Sequence, residues 1–188
     1  MRKLILVKHS LPEIVPGVPW YEWHLSAEGR RRCVPLADKL AEYQPVAIAS
    51  STERKARETA EFVAERLRIP IEVTEGLQEN DRTGLVFTSR EQYERQIAEF
   101  FQRSDELVIG RETASEALDR FSRAVEDFVS RHPGGDLVVV AHGTVITLFV
   151  AAYSGSEPFP FWQQLGLPSL VVLSLPDYAL LETVAGIA

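Results

Sequence analysis

A single cysteine, Cys33, excludes an internal disulfide, and its place in a helical-looking stretch marks it as an inert structural thiol. There are only four histidines, and no two stand at ligand spacing, so no metal site is expected. Neither a Gly-x-Gly-x-x-Gly stretch nor a P-loop occurs, which removes nucleotide cofactors from the expectation. No apolar run is long enough to span a bilayer, so no membrane partner is expected. Met1-Arg2-Lys3 followed by Leu4 to Val7 is too short a core for a signal peptide, and the expected location is cytoplasmic. Internal repeats and low-complexity linkers are missing as well. Basic residues are the minority charge: 20 Lys and Arg against 27 Asp and Glu give a net charge of -7. That balance argues against nucleic acid as a partner, and an anionic ligand would need a local cationic pocket set against the overall field.

What remains is a composition of 45% apolar and 25% charged residues over 188 positions, enough for one domain, 1–188, with a sizeable core. Short branched-apolar runs predict buried strands at 3–7, 46–49, 71–73, 136–140, 170–174 and 179–182. Helical periodicity alternates with them. Helices are predicted over 26–43, with a bend at Pro35, and over 53–67, with Ala56, Ala60, Val63, Ala64 and Leu67 as its apolar stripe. Further helices begin at Ser89 and Thr113, each opening a capping-box pattern, and a well-buried one follows His142. Such alternation predicts an α/β fold around a mostly parallel sheet, and the turn at Pro176-Asp177 makes the last strand antiparallel to its neighbour.

Two of the strands end in histidine. Leu4-Ile5-Leu6-Val7 runs into Lys8-His9-Ser10, and Leu137-Val138-Val139-Val140-Ala141 runs into His142-Gly143. Open α/β sheets place ligands at the carboxyl ends of their strands, so two distant imidazoles are expected to meet over one site. The second strand adds Ser50, Ser51 and a helix carrying Arg54, Lys55 and Arg57, and the loop after the third adds Glu79. Imidazoles, cations, a carboxylate and helix N-termini together suit a phosphoryl group, which needs clamps for its oxygens, an in-line nucleophile and a proton donor. Two long connections, 11–25 and 75–88, follow strands and should border that site. Trp20, Trp23 and His24 in the first of them either cover the core or wall in the organic part of a substrate.

These residues, taken in order, resemble the histidine phosphatase superfamily, the phosphoglycerate mutase-like proteins. Lys8-His9-Ser10 stands where the family has Arg-His-Gly. The stretch from Ser50 to Ala60 resembles its serine motif followed by Arg-Ala and Thr-Ala, with Lys55 at the arginine's place. Leu77-Gln78-Glu79 resembles its acid loop, and Ala141-His142-Gly143 its second histidine strand. The matches are collinear over nearly the whole chain. The resemblance implies a three-layer α/β/α domain with a mostly parallel central sheet and one antiparallel edge strand.

It also implies a phosphatase that works through a phosphohistidine, without metal or cofactor, on a small phosphorylated metabolite. His9 would be the nucleophile and Glu79 the proton donor. His142 would act with them, and Lys8, Ser10, Lys55 and Gly143 would bind the substrate. A homodimer is the oligomeric option carried with this reading.

Two departures stand out. Lysine replaces both family arginines, which keeps the charge and loses the planar fork that grips two oxygens. The gap from Glu79 to Gly84 is one residue longer than usual. Glu75, Asp81 and Glu112 are therefore rivals to Glu79, and a binding module of the same fold with little or no turnover is the alternative function.

Overall fold

The computed structural model describes residues 1–84 and 89–188; the last four positions of the 75–88 connection lie outside them. Six strands form a single sheet in the order β3-β2-β4-β1-β5-β6. They are β1 (Arg2–Lys8), β2 (Ala47–Ser50), β3 (Ile71–Val73), β4 (Leu137–Ala141), β5 (Ser169–Leu175) and β6 (Leu180–Val184). The β1–β4, β4–β2 and β2–β3 pairs are parallel, whereas β1–β5 and β5–β6 are antiparallel. The sheet is thus mostly parallel with antiparallel pairing toward one edge.

Side-chain alternation along each strand sorts the apolar residues into two cores. Ile5, Val7, Ile48, Val138 and Val140 face α1 (Ala27–Ala41) and α2 (Arg54–Leu67). Leu4, Leu6, Ala49 and Val139 face the opposite layer. That layer holds α3 (Arg90–Gln102), α4 (Ala114–Arg131), α5 (Gly143–Ser154) and α6 (Pro158–Gln164). Strands buried on both faces must be continuous apolar runs, which is why Leu4 to Val7 and Leu137 to Ala141 lack any polar residue.

The local signals act where the sequence places them. Ser26 Oγ accepts the Gly29 N–H at 2.9 Å, and Ser89 Oγ accepts that of Gln92 at 3.2 Å. Thr113 and Glu116 close a reciprocal capping box at the start of α4. Pro35 lies inside α1, which continues through it to Ala41. Cys33 lies inside the α1 core with burial pushing its thiol up to about 11, as an inert thiol requires. Two elements have no counterpart in the sequence reading, the 3-10 turn Trp20–Glu22 and α6. Each is too short to show a helical period.

What matters for the site is the strand order. β4 lies between β1 and β2, with Lys8 paired to Ala141 and Ser50 paired to Val140. Three carboxyl ends from distant parts of the chain therefore stop level with one another. The residues that follow them, His9, Ser51 and His142, have nowhere to go but the same rim.

Candidate active site

His9 and His142 meet at that rim with ring centroids 5.1 Å apart, edge to face. A cavity of about 200 Å³ opens over them. Lys8, His9, Lys55, Glu79, His142 and Gly143 all line it, so six of the seven site residues expected from the sequence converge. Ser10 does not. Its Oγ donates to the Gly29 carbonyl at 2.7 Å and its N–H to Thr59 Oγ1 at 3.0 Å, both on the core side. Ser10 is corrected from a substrate contact to a support, because its own carbonyl lies 2.7 Å from His9 Nδ1.

That contact fixes the tautomer. A carbonyl only accepts, so Nδ1 carries the hydrogen and Nε2 keeps its lone pair. Burial, reinforced by His142 and Lys55, holds His9 well below the usual imidazole range despite the opposing Ser10 bond. The ring is neutral at physiological pH, the state a nucleophile needs. His142 is lowered too, first by burial and then by Lys55. Ser51 Oγ accepts the Glu53 N–H at 3.2 Å and lies 2.8 Å from His142 Nε2. A hydroxyl has one O–H beside two lone pairs, so the serine can donate to Nε2 while it accepts from Glu53, and in that tautomer the hydrogen of His142 stands on Nδ1. Among the described residues, buried Nδ1 has no hydrogen-bond partner. Since His142 lines the cavity, this is a donor suited to an oxyanion.

The cations are held in different ways. Lys8 Nζ donates to the Leu165 carbonyl at 2.6 Å, and burial lowers its pKa to about 8, opposed by Glu79 and assisted by Arg82. An alanine Cβ at position 143 would sit 3.1 Å from Lys8 Cε and 3.3 Å from Nζ, so the glycine lets the lysine lie across the start of α5. Lys55 Nζ donates to the Trp20 carbonyl at 2.9 Å and forms a buried ion pair with Glu53. Arg54 and Arg57 instead pair on the surface with Glu58 and Glu61, as helix geometry requires of residues flanking an inward Lys55.

Glu79 is the carboxylate the acid loop delivers. Its Oε1 accepts the Val145 N–H at 3.2 Å, and its Oε2 accepts that of Thr144 at 3.2 Å. These are orphan donors of the α5 N-terminus. Arg82 Nη2 adds a 2.9 Å ion pair. Burial raises the Glu79 pKa, but Arg82, His142 and the Thr144 N–H outweigh it, and the net shift is downward. None of the rivals lines the cavity. Glu75 is exposed beside Gln78, Asp81 accepts its own loop's Thr83 N–H, and Glu112 pairs with Arg120. Arg120, reaching from α4, also donates to the carbonyls of Gly76, Gln78 and Glu79, so one guanidinium staples the whole acid loop.

Two charged residues at this site escaped the sequence reading. Arg82 lines the cavity beside Glu79, with a second bond to Thr144 Oγ1 at 3.2 Å. It sits in the stretch whose extra residue was visible in the sequence, and that insertion was its signal. Glu53 is buried, takes the Glu79 N–H at 2.8 Å and approaches His142 Nε2 at 3.6 Å. A charged residue at a helix start is ordinarily solvated, so nothing marked it. Trp20 and Trp23 line the cavity, resolving one of the two readings of the first loop, while His24 pairs with Glu13 outside it. With both imidazoles neutral, three cations face two carboxylates. Together these groups carry one net positive charge within an acidic protein, and they bring two imidazoles, cationic donors and a carboxylate to one cavity.

A sequence model described as the histidine phosphatase superfamily (branch 1) matches residues 5–180, and the chain belongs to that superfamily. A metal-independent phosphoserine phosphatase of Arabidopsis thaliana is 31% identical over 134 residues, covering 66% of this chain and 56% of that protein. The chain thus spans little more than half of this relative. A glucosyl-3-phosphoglycerate phosphatase of Mycolicibacterium vanbaalenii is 29% identical over 181 residues, covering 88% and 80%. The native structure of a mycobacterial glucosyl-3-phosphoglycerate phosphatase superposes with a TM-score of 0.78 at 24% identity, covering all of both chains. At that identity the superposition speaks for the fold.

Proposed function

We propose that the protein is a phosphomonoester hydrolase that passes the phosphoryl group through His9, without a metal ion, on a small phosphorylated metabolite. The observation that carries this is the pairing of His9 Nδ1 with the Ser10 carbonyl, which leaves Nε2 free beside three cations and a carboxylate. The alternative of a binding module is not favoured. The protein's relatives are named as phosphatases, and His9 and Glu79 line one cavity, which supports turnover.

In the first step His9 Nε2 attacks phosphorus, the P–N bond forms and the bond to the leaving oxygen breaks. Lys8, Lys55, Arg82, His142 Nδ1–H and the Gly143 N–H take the phosphoryl oxygens, whose charge rearranges in the transition state. Glu79 gives a proton to the leaving alkoxide. In the free site its carboxyl is ionised; the approach of a dianion raises its proton affinity, so it takes a proton from solvent as the complex forms and passes that proton to the leaving oxygen. In the second step Glu79 takes a proton from water, which attacks phosphorus, breaks the P–N bond and releases inorganic phosphate.

The reading is tested by phosphate release from a panel of phosphomonoesters in the presence of a chelator. Turnover that persists with chelator and vanishes in Lys55→Ala supports it, and turnover that needs an added metal overturns it. The pH profile carries a further expectation. Lys8 is charged below its pKa of about 8 and neutral above, so the clamp weakens as pH rises through that value. The kcat/KM profile should fall on an alkaline limb near pH 8, and Lys8→Arg should shift that limb upward because a guanidinium keeps its proton.

Arg120→Met should loosen the acid loop without touching the substrate. A displacement of about 1 Å in a catalytic group can lower rates by ~10²-fold. Separate kcat and KM measurements should show the loss mainly in kcat, with Arg120→Lys recovering only part because one ammonium cannot span three carbonyls and Glu112.

A further inference from the structure

A second cavity of about 370 Å³ adjoins the phosphate pocket, within the range of small-molecule sites, ~300–1,000 Å³. Trp20, Trp23, Arg82 and Tyr93 line both, so the two share a wall. Beyond that shared wall the described lining is Ile14, Val18 and Pro19. We propose that this annex is the leaving-group subsite, and that it takes the apolar, ring-bearing alcohol of a phosphomonoester. The proposal rests on the phosphatase reading and adds the substrate class to it.

Three observations carry the assignment. First, among the described residues the annex has one charged group, Arg82, and its guanidinium is already engaged. It pairs with Glu79, bonds Thr144 and lies 5.3 Å from the Tyr93 ring centroid. An alcohol bearing an ammonium and a carboxylate would shed water there without gaining partners, and a sugar would leave hydroxyls unsatisfied. Second, the walls offer two indoles and a phenol, whose faces and edges suit another ring. Ile14, apolar and 70% exposed on the annex, is the kind of surface residue a bound hydrophobic group would cover.

Third, the loop is held in shape. Trp23 Nε1–H donates to the Val18 carbonyl at 3.0 Å, and Glu13 N–H donates to the His24 carbonyl at 2.8 Å, closing the loop's base. Lys55 Nζ, inside the phosphate pocket, donates to the Trp20 carbonyl. The annex wall and the phosphate clamp are thereby tied to each other, and a substrate would meet a subsite already formed.

The test pairs binding with turnover. Hydrolysis is compared for 2-phenylethyl phosphate, glycerol 3-phosphate and O-phosphoserine, all esters of alkyl alcohols, so leaving-group acidity does not decide the order. Calorimetric titration compares 3-phenylpropylphosphonate with methylphosphonate, which need no turnover. The phenylalkyl phosphonate should bind at least about tenfold more tightly and the phenylethyl ester should show a kcat/KM at least about tenfold higher. Ile14→Asp and Val18→Asp, placed in the annex alone, should each cut both ratios by about fivefold or more. Equal binding of the two phosphonates overturns the annex assignment whatever the hydrolysis data show. So does a preference for phosphoserine or glycerol phosphate. Hydrolysis of none of the esters, with the binding preference intact, overturns the phosphatase reading and with it the leaving-group role, and leaves the annex only as a binding subsite for the organic part of a phosphate ligand.

Discussion

His9→Ala should abolish turnover, lowering kcat/KM for any phosphomonoester by about 10⁴- to 10⁶-fold, the scale on which removal of a covalent nucleophile acts. No neighbour can substitute for it. His142 uses Nε2 in its contact with Ser51, and its lowered pKa and buried setting suit a donor through Nδ1. The lysines lie against the Leu165 and Trp20 carbonyls. The loss should appear entirely in chemistry: phosphate binding should persist within a few-fold, since the three cations remain. Inorganic phosphate release measures the first quantity and calorimetric titration of phosphate the second. A variant retaining even a tenth of the activity would remove His9 from the reaction.

Glu79→Gln should lower kcat/KM for an alkyl phosphate by about 10²- to 10⁴-fold, the usual worth of a general acid–base group. The loss should be much smaller for the first step on 4-nitrophenyl phosphate, because nitrophenolate leaves without a proton. The second step still needs a base, so the variant should release a burst of nitrophenol and then stall as phosphoenzyme. The substitution also disturbs the loop. Glu79 accepts from Asn80, Arg82, Thr144 and Val145, and an amide oxygen cannot serve all four. Glu79→Asp is the companion variant: it keeps both oxygens but shortens the reach, and a parallel loss of rate with an unchanged melting temperature separates catalysis from folding. Rapid-quench kinetics on the two esters checks the expectation. Equal losses on both esters, with no burst, would deny Glu79 the proton.

The part of this site that sequence reveals is the part set by the sheet. His9 and His142 end apolar runs, and a parallel sheet leaves the ends of such runs at one rim, so their meeting was legible 133 residues apart in the chain. Lys55 was legible because helix spacing turns it inward while Arg54 and Arg57 turn out. Loops obey no such period. Arg82 owes its place to an ion pair and a hydrogen bond formed only when the acid loop meets α5, and Glu53 owes its burial to Lys55, two residues away on the same short segment. Ser10 was assigned to the substrate by motif position, yet the side chain of a residue following a strand can turn to either side, and here the Gly29 carbonyl takes it inward. Of the annex, only the tryptophan wall was one of the readings of the first loop; its other side is Tyr93 of α3, across a distance only tertiary structure closes.

Everything turns on a covalent phosphoryl group at one nitrogen. Incubation with phosphoramidate, quenching in alkali and mass spectrometry of the peptides locates that group directly. The expected result is a single label on His9, stable in base, lost in acid and absent from His9→Ala. A label on Ser51 or His142, or steady hydrolysis of esters with no label on His9, would contradict it.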